Sequence, residues 1–264
     1  DLLLVFGIDG LIPALGLKGA AYASVISQAV MLIMAFYFLT KKTQIPIKFS
    51  LPFNKEIKNL MGMIVNLFVR TLALNIALNV SSYYATSYGI EYINAYTISI
   101  NIWFICAFVI DGYASAGNMM SGKLFGANDF ENLTILRRKL TKYGVVVGVM
   151  LFVVLGLFYF PIGRLYSNNE LVRAAFYDTF WLAIAMQPLC AVAFIYDGMY
   201  KGMGKMKKLR NVLLISTFFG FIPVVLFTDY FDLKLHGIWI AFIVWIFLRG
   251  LFLKLDFKNI GQKL

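Results

Sequence analysis

Between Trp103 and Asn128 the chain reads WFICAFVIDGYASAGNMMSGKLFGAN, an apolar run that carries one carboxylate, Asp111, before passing into small residues and a lysine. A carboxylate in hydrocarbon costs several kcal/mol unless it is paired, hydrated or neutralised, so Asp111 is expected to face a protein interior or a water-filled cavity. Arg70 lies about ten residues inside the preceding apolar run, roughly 15 Å at 1.5 Å per residue, and Asp111 lies about as deep in its own. An Arg70–Asp111 ion pair is the structural account of both charges. In the functional account, Asp111 exchanges Arg70 for a proton or a cationic substrate. Asp197 and Arg249 form a second candidate buried pair, with snorkelling to the headgroups as the alternative role for Arg249.

Neutral polar residues are also patterned. Thr71, Asn75, Asn79, Ser82 and Thr86 recur at helical spacing, and Asn94, Thr97, Asn101, Asp111, Ser115 and Asn118 do roughly the same in the next run. Two such stripes would line a hydrated substrate cavity or, on the plainer account, join helices through interhelical hydrogen bonds. Gln187 stands beside Pro188 in the middle of a run, where proline removes a backbone hydrogen bond and can bend a helix around a pocket. Gln187 is therefore a further cavity candidate.

Other chemistries have little support. Cys106 and Cys190 lie in apolar runs without a CxxC spacing, and the one histidine, His236, has no clustered ligands, so no metal site is indicated. No GxSxG, HExxH or Walker A motif occurs. The reading is a protein that is not an enzyme and needs no cofactor.

The elements that must position these residues follow from composition. The chain is 61% hydrophobic and 14% charged, against roughly 25% charged for an average soluble domain, and its apolar residues fall in runs of about 20. This predicts an all-α, polytopic membrane bundle of about seven transmembrane helices, at Gly19–Leu39 and at about 60–87, 92–119, 143–161, 172–200, 211–229 and 236–254. Lys41 to Asn59 is basic and contains Pro46 and Pro52. It reads as a cytoplasmic linker at 41–59 between the end of one lobe at 1–40 and a six-helix lobe at 60–264.

Of the 24 Lys and Arg residues, 18 fall in gaps on one side of this layout and 4 on the other, with Arg70 and Arg249 inside runs. The positive-inside rule makes the first side cytoplasmic. Topology thus accounts for the net charge of +11, and nucleic acid is not expected as a partner. The chain opens at Asp1 and runs directly into LLLVFG without a basic n-region, so it is expected to be a piece of a longer protein. LGLKGAAYA at 15–23 aligns with LKLHGIWIA at 233–241, and both open an outside-to-inside helix, which suggests two parallel repeated halves.

DGYASAGNMMSGKLFGAND at 111–129, YDGMYKGMGKMKKLRN at 196–211 and LGLKGAAYASVISQ at 15–28 together resemble the multidrug and toxic compound extrusion (MATE) transporters, nearest the branch of the DNA-damage-inducible protein F. The resemblance implies two parallel-related six-helix lobes that exchange drugs or organic cations for H⁺ or Na⁺ across a bacterial or archaeal plasma membrane. It places the end of helix 5, helix 6 and the second lobe in this chain, with the first lobe as its missing partner. It also implies that Asp1 and Ser24 belong to the cation-coupling site.

Two departures qualify it: Asn118 stands where a Glu is common, and Asp197 does not clearly match the helix 10 carboxylate of sodium-coupled relatives. A lipid-linked oligosaccharide flippase of the same superfamily is the alternative, disfavoured because Arg70 is the only deep basic residue in the presumed cavity. A membrane receptor or scaffold without transport is the third reading.

Overall fold

The computed structural model describes residues 2–7, 15–42 and 55–261, and among them every regular element is helical. Two compact units divide the chain at Phe53 and Asn54. In the first, a short turn α1 (Leu2–Val5) precedes the long helix α2 (Gly16–Lys42). Gly19 lies in the first turn of α2, where a Cβ would collide with the carbonyl oxygen of Leu4. Only glycine lets the backbone before the helix come so close.

The second unit begins with α3 (Lys55–Ser87) and α4 (Ile90–Gly126), both overlapping the apolar runs expected there. Helix α5 spans Phe130–Leu157 and so begins well before residue 143. The reason is local: Asp129 is its N-cap, its side chain accepting from the Asn132 N–H at 3.1 Å and from Asn132 Nδ2 at 2.7 Å. Arg137, Arg138, Lys139 and Lys142 therefore lie along the first turns of a helix, not in a loop. A separate short helix, α6 (Tyr159–Tyr166), follows.

Helices α7 (Glu170–Ala185) and α8 (Gln187–Gly202) are one apolar stretch bent by 47°. Pro188 has no N–H to give the Ile184 carbonyl, and the Met186 N–H at the end of α7 donates to the Leu182 carbonyl at 3.2 Å. Among the described residues six helices are long and apolar enough to cross a membrane, and the bent pair makes a seventh if it is one span.

Helix α9 (Met206–Ile215) passes through a π-helical turn at Ser216–Phe221 into α10 (Ile222–Tyr230). The Trp245 indole N–H donates to Thr217 Oγ1 at 2.9 Å across this wider turn. Helix α11 (Lys234–Gly261) closes the unit. Gly237 occupies the same place in α11 that Gly19 holds in α2, and a Cβ there would strike the Thr228 hydroxyl of α10. A fully buried set of Trp239, Phe242, Trp245 and Phe221, with Trp103 and Phe194 beside it, forms the centre of the core.

Helices α4 and α8 cross in backbone contact. A Cβ on Gly198 would come within 2.5 Å of the Ala114 carbonyl oxygen, one on Gly122 within 3.0 Å of the Gly202 carbonyl oxygen, and one on Gly202 would collide with that of Asn118. Ser121 Oγ donates to the Met199 carbonyl at 3.1 Å across the crossing. Small residues four apart on both helices permit this approach, as in other membrane interfaces. The crossing is what sets Asp111 of α4 beside Asp197 of α8.

Candidate functional site

The chemistry collects in a cavity of about 230 Å³ between α3, α4, α8 and α11. Its lining holds four aromatic side chains, Trp103, Phe104, Phe108 and Phe194, five ionisable ones, Arg70, Asp111, Asp197, Lys201 and Arg249, and the apolar Leu74 and Ala107.

Asp197 is the centre of the charged group. Its Oδ2 accepts from Arg70 Nη2 of α3 at 2.5 Å and from Arg249 Nη2 of α11 at 2.5 Å, with the three side chains 7%, 12% and 3% exposed. Arg249 is also held flat, its guanidinium carbon 4.9 Å from the centre of the Trp245 ring and 5.6 Å from that of Phe194. The bridge joins three helices that are far apart in sequence. Lys201 lies one turn beyond Asp197 on α8 and makes no ion pair among the described residues.

This arrangement corrects the expected pairing of Arg70 with Asp111. Arg70 of α3 and Arg249 of α11 both reach Asp197 of α8, and Asp111 is exposed in the pocket lining without an ion pair among the described residues. The snorkelling alternative for Arg249 also fails: its head is enclosed by two rings and a carboxylate.

Gln187 does not line the pocket. It is 1% exposed, and its Nε2 donates at 2.8 Å to the Ala183 carbonyl. The side chain thus supplies a hydrogen bond beside the break between α7 and α8, while its Oε1 is buried without a hydrogen-bond partner. Asn75, Asn79 and Asn101 are exposed on their helices, and each Nδ2 is turned back to a carbonyl four residues earlier, of Thr71, Asn75 and Thr97, at 2.8 to 2.9 Å. None of the three lines this pocket. Ser24 is exposed in the first unit, donating to the Ala20 carbonyl at 3.0 Å, and Asp1 lies outside the described residues.

Sequence reasoning missed Lys201 and the aromatic rings. The signal was present in YDGMYKG at 196–202, where Asp197 and Lys201 are four apart and Gly198 and Gly202 alternate with them on the adjoining face.

Comparison with known proteins agrees with this architecture. The chain is 29% identical over 243 residues to Protein DETOXIFICATION 45, chloroplastic, of Arabidopsis thaliana, covering 89% of this chain and 41% of that protein. It is 24% identical over 261 residues to DNA damage-inducible protein F of Escherichia coli, covering 95% and 54%. The chain therefore spans about half the length of these relatives.

Among solved structures, MATE in the straight conformation superposes over the whole chain and 59% of its own length, with a TM-score of 0.85 at 18% identity. An outward-facing multidrug resistance MATE transporter of the MOP superfamily gives 0.82 at 18%, again over the whole chain and 59% of its own length. Likeness at that identity shows a shared fold. Residues 66–226, more than half of the chain, match the MatE family, and this multi-pass membrane protein belongs to it.

Proposed function

We propose that the chain forms the second lobe of a secondary active efflux antiporter, which moves small organic compounds out of the cell in exchange for H⁺ or Na⁺. Residues 60–264 supply the six-helix lobe, 41–59 the cytoplasmic link, and 1–40 the end of the first lobe. One observation carries this reading: a pocket lined by aromatic rings and five ionisable side chains sits within helices long and apolar enough to span a bilayer. Intramembrane charge of this kind is expensive and marks substrate or ion pathways. The bent α7–α8 pair adds a discontinuous helix, a common feature of transporters that rock one bundle against another.

Asp1 and Ser24 are proposed for ion coupling, and a bacterial or archaeal plasma membrane for the location, both on resemblance. The test is efflux of a fluorescent dye from proteoliposomes containing the full-length protein under an imposed H⁺ or Na⁺ gradient. Flux that depends on either gradient supports the proposal, and dye retention under both gradients overturns it.

A flippase for lipid-linked oligosaccharides gains from one observation. Three basic side chains, rather than Arg70 alone, line the pocket. Scrambling of a fluorescent pyrophosphate-linked lipid in the same vesicles would separate the two.

A further inference from the structure

We infer that the pocket between α3, α4, α8 and α11 binds an organic anion, a carboxylate carried on a small aromatic or apolar body. The inference rests on the transporter reading and assigns its cargo at this pocket to a class opposite in charge to the organic cations that the resemblance implies.

The argument is one of charges already committed and charges left over. Arg70, Lys201 and Arg249 face Asp111 and Asp197, an excess of one positive charge in a partly enclosed space. Asp197 has its Oδ2 occupied by two guanidinium groups, so an entering cation would find that carboxylate screened, and the remaining carboxylate, Asp111, is offset by the charge of Lys201 in the same lining, which leaves the excess positive charge on the arginines. Arg249 is committed to Asp197 and to its two rings.

Two donors remain. Arg70 Nε is buried and has no hydrogen-bond acceptor, and Lys201 makes no ion pair among the described residues. A buried N–H without an acceptor carries an uncompensated desolvation cost, which an acceptor oxygen from a ligand would remove. A carboxylate offers such oxygens and suits the planar donor fork of arginine. The rings of Trp103, Phe104, Phe108 and Phe194 in the same lining suit an aromatic body. At about 230 Å³ the space is below the roughly 300–1,000 Å³ of drug-sized sites, so a compact ligand fits the volume.

The test uses two probes with the same body and opposite charge, 2-naphthoate and 2-naphthyltrimethylammonium, titrated calorimetrically into the full-length protein in neutral detergent. Naphthoate is expected to bind at least about tenfold more tightly than the ammonium probe. Lys201→Gln, at a position without an ion pair, should weaken naphthoate at least about fivefold. Asp111→Asn removes a negative charge from the lining and should raise that affinity, whereas a cation site would lose affinity. Arg70→Lys keeps a positive charge opposite Asp197 but deletes Nε, and should also weaken naphthoate with the melting temperature monitored as a check on folding.

Equal or tighter binding of the ammonium probe, or no change in Lys201→Gln, overturns the inference. Displacement of naphthoate by added dioleoylphosphatidylglycerol also overturns it, assigning the pocket to a lipid headgroup. If naphthoate fails to bind while gradient-driven dye efflux persists, the anion assignment falls and the transporter reading stands. If naphthoate binds but no efflux follows either gradient, the transporter reading falls and the pocket assignment stands.

Discussion

Asp197 and Asp111 line one pocket but have different physical situations. Asp197 is almost fully buried between two arginines, so removing its charge leaves both guanidiniums without their carboxylate partner. Breaking a buried pair costs about 3–5 kcal/mol because an uncompensated charge remains inside. Asp197→Asn is therefore expected to lower the melting temperature in detergent sharply, and Asp111→Asn to leave it nearly unchanged. Equal melting temperatures in the two variants would contradict the bridge. Arg249→Lys is a milder probe at the same place: the ammonium can still reach Asp197, but it loses the flat contact with Trp245 and Phe194.

The elements that hold the pocket depend on close backbone approach and on two local stitches. At the α4–α8 crossing, Gly198→Ala would put a methyl 2.5 Å from the Ala114 carbonyl oxygen, a backbone atom that cannot rotate away. Overpacking of this kind costs about 1–3 kcal/mol, so Gly198→Ala should melt lower, whereas Gly112→Ala, with open space around its Cα, should not.

At the start of α5, hydrogen bonds from the Asn132 side chain and then its backbone N–H hold the Asp129 carboxyl below the usual carboxylate range. A carboxyl depressed in the folded state stabilises fully above its unfolded value, about pH 4, and that stabilisation is lost as the pH falls through the lower folded value. Amide protection at the first turn of α5 should therefore drop in strong acid relative to an Asp129→Asn reference, which does not titrate there. Matching pH profiles in the two proteins would contradict the cap.

For the whole molecule, the aligned sequences at 15–23 and 233–241 each place a glycine at the fourth residue of a long helix, α2 and α11. Gly19 and Gly237 stand at the same turn of their helices, each beneath the backbone or side chain that precedes it. If Asp1 couples ion to cargo in the full-length antiporter, Asp1→Asn should abolish gradient-driven efflux without reducing the amount of protein in the membrane. Unchanged coupling would remove Asp1 from the mechanism.

Hydropathy was enough to indicate a helical membrane bundle, because the bilayer imposes length and apolarity on each helix separately, but not the start of α5 at Phe130, where a cap and not apolarity sets the end. It also marked Arg70, Asp111, Asp197 and Arg249, since any charge inside an apolar run stands out. Which charge meets which was not legible. Arg70 and Asp111 lie at similar depth on neighbouring helices, but partner choice depends on rotation and crossing, and the glycine contacts that fix these join residues about 80 apart in sequence. The tertiary structure alone decided that Asp197 takes both arginines, that the Gln187 amide turns back to the Ala183 carbonyl, and that Lys201 and four aromatic rings complete the pocket lining.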